Sequence, residues 1–197
     1  MPEDENLCTR CSLQTGGCCH TQAASAPYCF PLSEAEIDRL MPHAALAPPL
    51  PDEAGQAREA VCTEQLNTPD FIKTMEALFP FEKARVQALF PAGGSHYRLR
   101  LLPARLEGAA GDSPGDDLVA CAFLGPLGCC LPRQARPWYC LLYPGWVSGG
   151  SITIFQADAC LASRGATSPA QGLARIGLTQ KAVRELFARL KDDWGFN

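Results

Sequence analysis

The chain has 197 residues, of which 47% are hydrophobic, and this is enough to form the core of one domain. Its net charge of −4 and its lack of a basic run argue against nucleic acid as a partner. No apolar stretch reaches the ~18–20 residues that a membrane-spanning helix needs, so we expect no membrane partner.

The N-terminal residues 1–6 are acidic and polar, without the basic start and apolar segment of a secretory signal. We therefore expect a cytoplasmic protein. In a reducing compartment, the eleven cysteines are more typical of metal ligands or redox groups than of disulfides. Their odd number also argues against a fully paired disulfide framework.

Residues 1–30 are expected to form a loop-rich segment that holds Cys8, Cys11, Cys18 and Cys19 close together. One loop can turn several closely spaced thiolates toward one point, which is what a metal ion requires. Adjacent side chains of an extended backbone point to opposite faces, so Cys18 and Cys19 fit poorly on one ion. They fit two ions, or one of them is a ligand while the other is packed.

Caps and apolar periodicity predict the helices. Ser33 and Glu36 form a capping box at the start of a helix that ends near Met41. Residues 42–57 are rich in Pro and Ala and are expected to be a surface loop. Further helices are predicted for residues 69–79 with Thr68 as the N-cap, for residues 81–90, and for the stretch after Thr179.

Strands are predicted for residues 96–102, 118–124 and 151–156, with a loop over 107–117. These elements indicate an α+β class, with a few strands and three or four helices. We expect a small, metal-tied single domain spanning residues 1–197. Its metal-binding segments are residues 8–30 and 119–165, and residues 42–117 form a helical and loop insertion.

A second group of cysteines comprises Cys121, Cys130, Cys140 and Cys160. Their spacing is neither that of a zinc ribbon nor that of a bacterial ferredoxin. Thiolates select zinc, iron–sulfur clusters or Cu(I) over hard cations. Both groups together can fill two four-sulfur sites or one multinuclear cluster. If both groups supply the same sites, the N-terminal segment has to fold back onto residues 121–160.

The cysteines stand in two motifs, which read Cys8-x2-Cys11-x6-Cys18-Cys19 and Cys121-x-Phe-Leu, Gly-x-Cys130-x5-Arg136-Pro-x-x-Cys140-x-x-Tyr-Pro. With Cys160 after them, these motifs resemble the YkgJ-type cysteine-cluster family, a zinc- or iron-chelating domain. The resemblance covers residues 8–36 and 119–165. The chain departs from the family in a longer gap before Cys18, and in Leu131-Pro132 and Leu141, where the family has Ile-Tyr and Arg.

The resemblance implies that the protein binds zinc or iron, including iron as an iron–sulfur cluster, with no catalytic residue assigned. The implied ligands are Cys8, Cys11, Cys18, Cys19, Cys121, Cys130, Cys140 and Cys160. The motifs are also similar to the cysteine-rich part of flagellin lysine N-methylases, which implies methyl transfer as an alternative. The chain shows no glycine motif for S-adenosylmethionine, which ranks methyl transfer behind metal binding. A third alternative is an iron–sulfur redox protein or thiol switch.

Two other residues are candidates for the same chemistry. His20 directly follows the first cysteine group, and its imidazole can replace a sulfur ligand. Arg136 either offsets the negative charge of a zinc–thiolate site or is a surface residue before a turn. The residues interpreted as packed, free or merely polar are Cys29, Cys62, Cys129, His43 and His96.

Overall fold

Short helices and short antiparallel sheets alternate along the chain in a computed structural model, which describes residues 19–23, 25, 29–49, 57–104, 118–156 and 160–196. The helices in this part are α1 (Glu34–Leu40), α2 (Ala57–Val61), α3 (Pro69–Leu78), α4 (Lys83–Leu89), α5 (Trp138–Leu142), α6 (Pro169–Arg175) and α7 (Gln180–Asp193). Two 3-10 helices are Met41–Leu46 and Arg133–Ala135.

The strands are β1 (His20–Gln22), β2 (Pro31–Leu32), β3 (Cys62–Leu66), β4 (Ser95–Leu99), β5 (Leu101–Pro103), β6 (Leu118–Cys121), β7 (Leu124–Gly125), β8 (Gly128–Cys129), β9 (Gly145–Ser148) and β10 (Ser151–Ile154). One sheet has the order β1-β6-β5 and a second has the order β2-β4-β3. The pairs β7–β8 and β9–β10 are hairpins, and all pairings are antiparallel. The predicted α+β class and single domain are confirmed.

The predicted helix starts are confirmed at their caps. The Ser33 side chain accepts a hydrogen bond from the Glu36 amide, and the Glu36 carboxylate accepts one from the Ser33 amide. Thr68 and Thr179 cap α3 and α7 in the same way through their hydroxyl oxygens. Side-chain oxygens at these positions satisfy amides that have no partner within the helix, so the local sequence alone determines where each helix begins.

Other predictions are wrong in number or extent. The described residues contain seven helices rather than three or four. α2 and α5 have five residues each and are too short to show a helical period, and α6 was also not predicted. The loop predicted over 42–57 contains most of a 3-10 helix. The strand predicted over 96–102 is interrupted at Arg100, which separates β4 from β5, and the one over 118–124 is interrupted between β6 and β7. The loop predicted over 107–117 lies outside the described residues.

Two apolar clusters form the core. The larger one surrounds Trp146 of β9, whose ring lies 5.6 Å from Phe79 and 5.0 Å from Phe187 between centroids. This cluster joins α3 to α7, as the predicted apolar faces of those helices require. The second cluster includes Ile37 of α1 and Phe123, and it also takes in Cys62 and, at its edge, Cys129. The packed positions predicted for these two cysteines are confirmed.

Glu36 links α1 to α5 inside the protein, where only 1% of its surface is exposed. One carboxylate oxygen accepts bonds from the Ser33 amide at 2.9 Å and the Ser33 hydroxyl at 3.1 Å. The other accepts a bond from the Trp138 amide at 2.7 Å. Burial raises the pKa of Glu36, and the hydrogen bonds from Ser33 and Trp138 offset part of that rise.

His96 lies inside the molecule rather than being merely polar. Its ring stacks on Phe71 at 3.9 Å between centroids, and its Nδ1 lies 2.8 Å from the Asn67 side-chain oxygen. The Asn67 oxygen accepts this bond, because its amide nitrogen donates to the Pro91 carbonyl. Burial, aided by the charge of Arg98, lowers the pKa of His96 to about 4. The imidazole is therefore neutral at neutral pH.

Substituting Glu36→Ala is expected to lower the free energy of unfolding by about 2–4 kcal/mol, because buried donors of Ser33 and Trp138 lose their acceptor. Chemical denaturation measures this loss. The matched control is Glu34→Ala in the same helix, whose side chain is 70% exposed and pairs with Arg58. That control is expected to change the stability by less than about 1 kcal/mol. Equal losses in both variants would contradict the structural role given to Glu36.

The stability of the fold is expected to fall as the pH drops from about 6.5 toward about 4, because the unfolded state protonates His96 before the folded state does. Lowering the pH from 7 to 4.5 is therefore expected to reduce the unfolding free energy of the wild type by about 2 kcal/mol more than that of His96→Gln. Denaturation series at several pH values measure this difference. Parallel curves for the two proteins would show that His96 titrates normally.

Candidate metal centre

A cavity of about 360 Å³ lies where the N-terminal described segment meets α5 and the β1-β6-β5 sheet. Its wall includes Cys19, Cys29, Cys121 and Cys140, together with His20. Aromatic and aliphatic side chains line the remainder, among them those of Phe30, Leu99, Leu101, Tyr139 and Tyr143. The cavity thus gathers thiols that are far apart in the sequence around one space.

Pairing of β1 with β6 places Cys19 next to Cys121. The two strands are antiparallel, and the Cys121 amide donates to the Cys19 carbonyl at 2.8 Å, one position beyond the pairs of the ladder. Side chains directly opposite each other in such a pair share one face, with Cβ atoms about 4.5–5.5 Å apart. Leu101 lies opposite Cys121 on β5 and also lines the cavity. The predicted return of the N-terminal segment is confirmed for residues 19–22.

The short helix α5 brings Cys140 to the same cavity. Its first amide, that of Trp138, is held by Glu36, and the Trp138 indole donates to Asp193 at 2.6 Å. On the next residue, the Tyr139 ring stacks on Phe30 at 4.7 Å between centroids with 5° between the planes. Cys140 follows directly and is exposed. Contacts from three other parts of the chain therefore fix the wall that carries this thiol.

Two of the predicted ligands, Cys130 and Cys160, are described in the structure but do not line the cavity. Cys130 follows the β7–β8 hairpin and is exposed. An added Cβ at Gly125 would lie 2.6 Å from the Cys130 sulfur, so the thiol occupies the space that a side chain would need. Cys160 is buried with 4% exposure, and its carbonyl accepts a bond from the Arg164 amide at 2.9 Å.

The predicted ligands Cys8, Cys11 and Cys18 lie outside the described residues. Within the part that is described, no three His, Cys, Asp or Glu side chains lie close enough together to hold an ion. The cavity residues seen here therefore do not complete a coordination shell by themselves. A four-ligand site at this cavity needs sulfur from elsewhere in the chain or a rearrangement of the wall.

His20 is the candidate nitrogen ligand of the cavity wall. Its Nδ1 is buried and has no hydrogen-bond partner among the described residues. Burial also lowers its pKa, which favours the neutral imidazole that binds metals. Thiols and an imidazole are the donor types that zinc and iron select, so the residues of the cavity wall fit either metal in kind, although the described ones do not form a coordination shell.

The Nε of Arg136 donates a hydrogen bond to the Leu131 carbonyl at 3.1 Å and is therefore not directed at the cavity thiols. This bond spans the 3-10 helix before Pro137 and supports the turn that leads into α5. This hydrogen bond to Leu131 favours the interpretation of Arg136 as a turn residue.

Cys29 is a further cysteine of the cavity wall. It was interpreted as packed or free, yet it lies on the cavity wall beside the predicted ligands. Its only sequence signal is its position shortly after the first cysteine group, which by itself does not separate it from a packed thiol.

Comparison of the chain with protein-family models, with curated proteins and with solved structures finds no match. The resemblance to the cysteine-cluster family accordingly rests on the motifs of this sequence alone. In the described residues, no helix combines the length and the apolar character needed to cross a membrane.

Proposed function

We propose that this chain is a cytoplasmic metal-binding protein that holds zinc or iron, including iron as an iron–sulfur cluster, at the cavity between the two cysteine-bearing segments. The observation that carries the proposal is the placement of Cys19, Cys121 and Cys140 on one cavity wall. Thiolate ligands favour zinc and iron–sulfur clusters over hard cations.

The remaining ligands in this proposal are Cys8, Cys11 and Cys18, which belong to the same motif as Cys19. Cys130 and Cys160 are proposed to serve a second ion or another corner of a multinuclear cluster, because they are not part of the described cavity wall. The proposed ligands thus remain the eight cysteines of the two motifs. Metal binding would hold the N-terminal segment on the rest of the domain, and a structural zinc contributes on the order of 10 kcal/mol to folding.

An iron–sulfur redox centre is the second candidate function. The same thiolates would ligate it, and the apolar and aromatic side chains around the cavity would limit the access of water to the cluster. Elemental analysis of the anaerobically purified protein, with its visible spectrum, separates a zinc site from an iron–sulfur cluster. A brown protein with iron and sulfide supports the cluster, a colourless protein with zinc supports the zinc site, and a protein without bound metal contradicts both.

Substituting Cys140→Ser is expected to weaken metal affinity by more than about 100-fold, because even the loss of a partner that only orients a ligand costs about 10–100-fold. Competition with a chromogenic chelator measures the affinity. The matched control is Cys62→Ser, since the Cys62 thiol is buried in the second apolar cluster and lies 3.3 Å from the Arg58 carbonyl. Equal affinities of both variants and the wild type would contradict the proposed centre.

A further inference from the structure

A second groove, of about 420 Å³, lies apart from the cysteine-lined cavity, and none of its described lining residues is a cysteine. Its walls are the turn between α3 and α4, the tip of the β9–β10 hairpin and one face of α7. We propose that this groove is a docking site for an acidic segment of a partner protein, which places one apolar side chain on the groove floor and one carboxylate at its rim. The site is separate from the metal centre proposed above.

The floor of the groove is apolar and is held in place by the larger core cluster. Phe187 of α7 is half-buried there, and its ring lies 5.0 Å from Trp146 and 5.9 Å from Phe79 between centroids. Val147, which follows Trp146 in β9, also lines the groove. Because the core fixes these side chains, the protein loses little conformational entropy when a ligand covers them.

Two polar contacts hold the walls of the groove together. The Lys191 ammonium of α7 lies 2.5 Å from the Glu82 carboxylate in the turn between α3 and α4. The Trp146 indole of β9 donates a hydrogen bond to the Leu78 carbonyl at the end of α3, at 3.1 Å. These contacts connect all three walls, so the groove is formed before a partner binds.

Phe81 lines the groove although 80% of its surface is exposed. A Cβ atom at Gly149 would lie 3.8 Å from the Phe81 ring, so the ring lies next to the tip of the hairpin. Phe79, two residues earlier, is buried with 1% exposure. An exposed aromatic ring beside an apolar floor is typical of an anchor point in a protein–protein interface, where phenylalanine is enriched.

The charges along the groove are not balanced. Its charged lining residues are Glu82, Lys191 and Arg184. Glu82 and Lys191 neutralise each other, whereas Arg184 is exposed and forms none of the ion pairs among the described residues. One nitrogen of Arg184 donates to the Gly150 carbonyl at 2.8 Å, which places the guanidinium at the tip of the hairpin. The groove therefore carries an excess positive charge on a chain of net charge −4, and a carboxylate is the complementary group.

The shape of the groove favours a peptide segment over a small molecule. Its exposed lining residues are Phe81, Gly149, Gly150, Arg184 and Ala188. A small-molecule site buries most of its ligand, and walls this exposed do not enclose one. A peptide can bury a single anchor side chain while its flanking residues lie across the surface.

Panning of a random peptide library on the immobilised full chain tests the docking site. We expect the enriched peptides to share an apolar residue flanked by Asp or Glu. Their affinity, measured by fluorescence polarisation, is expected to fall at least about tenfold for Phe81→Ser. The matched control is Leu127→Ser, because Leu127 is 86% exposed and does not line the groove. A library without enriched peptides, enriched peptides without acidic residues, or equal affinities of the Phe81→Ser and Leu127→Ser proteins would refute the proposal.

A charge exchange tests the role of Arg184. Arg184→Glu is expected to weaken the binding of an enriched acidic peptide about tenfold, and to bind instead the same peptide with its acidic residues replaced by lysine. Lys181→Glu makes the same change in net charge on the same helix, at a side chain that is 87% exposed. This control is expected to change either affinity by less than about twofold. If Arg184→Glu loses both peptides or keeps the original preference, the carboxylate contact is wrong.

Sedimentation of the chain without peptide distinguishes a partner protein from a second copy in the groove. The sedimentation coefficient is expected to be the same for the wild type and Phe81→Ser. A wild-type dimer that Phe81→Ser dissociates would show that a second copy occupies the groove, and the proposal of an acidic partner would then fail.

Discussion

The Glu36 carboxylate accepts hydrogen bonds from Ser33 on one side and from the Trp138 amide on the other, and the position of α5 depends on it. A helix of five residues is not stable on its own, because nucleation costs more than so few bonds return. Asp193 of α7 adds a second carboxylate, which accepts bonds from the Trp138 indole at 2.6 Å and from Arg39 at 2.9 Å. The Arg39 guanidinium in turn lies 4.2 Å from the centre of the Trp138 ring. Residues of two distant helices, α1 and α7, thereby fix the wall that carries Cys140.

The cavity depends on contacts of the same long-range kind. Cys19 and Cys121 are neighbours because β1 pairs with β6, and the stacking of Phe30 on Tyr139 joins the residue after Cys29 to the residue before Cys140. Both contacts connect parts of the chain that are about a hundred residues apart.

What the sequence predicted well was local. The capping box at Ser33 and the caps at Thr68 and Thr179 involve residues three positions apart, so the chain shows them directly. The sequence could not show α5, whose stability comes from Glu36 and Asp193 rather than from periodicity. It could not show the break at Arg100 either, because that break follows from β4 and β5 joining different sheets. Nor could it show that Cys29 lies at the cavity, since Cys121, Tyr139 and Cys140 of the same wall lie far along the chain.

Two buried arginines are held by backbone oxygens rather than by carboxylates. Arg98 and Arg100 stand two residues apart and form none of the ion pairs among the described residues. Arg98 donates to the Leu99 carbonyl at 3.2 Å, and Arg100 donates to the Pro48 carbonyl at 2.5 Å. Burial lowers the pKa of both arginines, because it disfavours the charged form. The bond from Arg100 to Pro48 joins the break between β4 and β5 to the segment after the first 3-10 helix, so the residue that interrupts the predicted strand also makes a long-range contact.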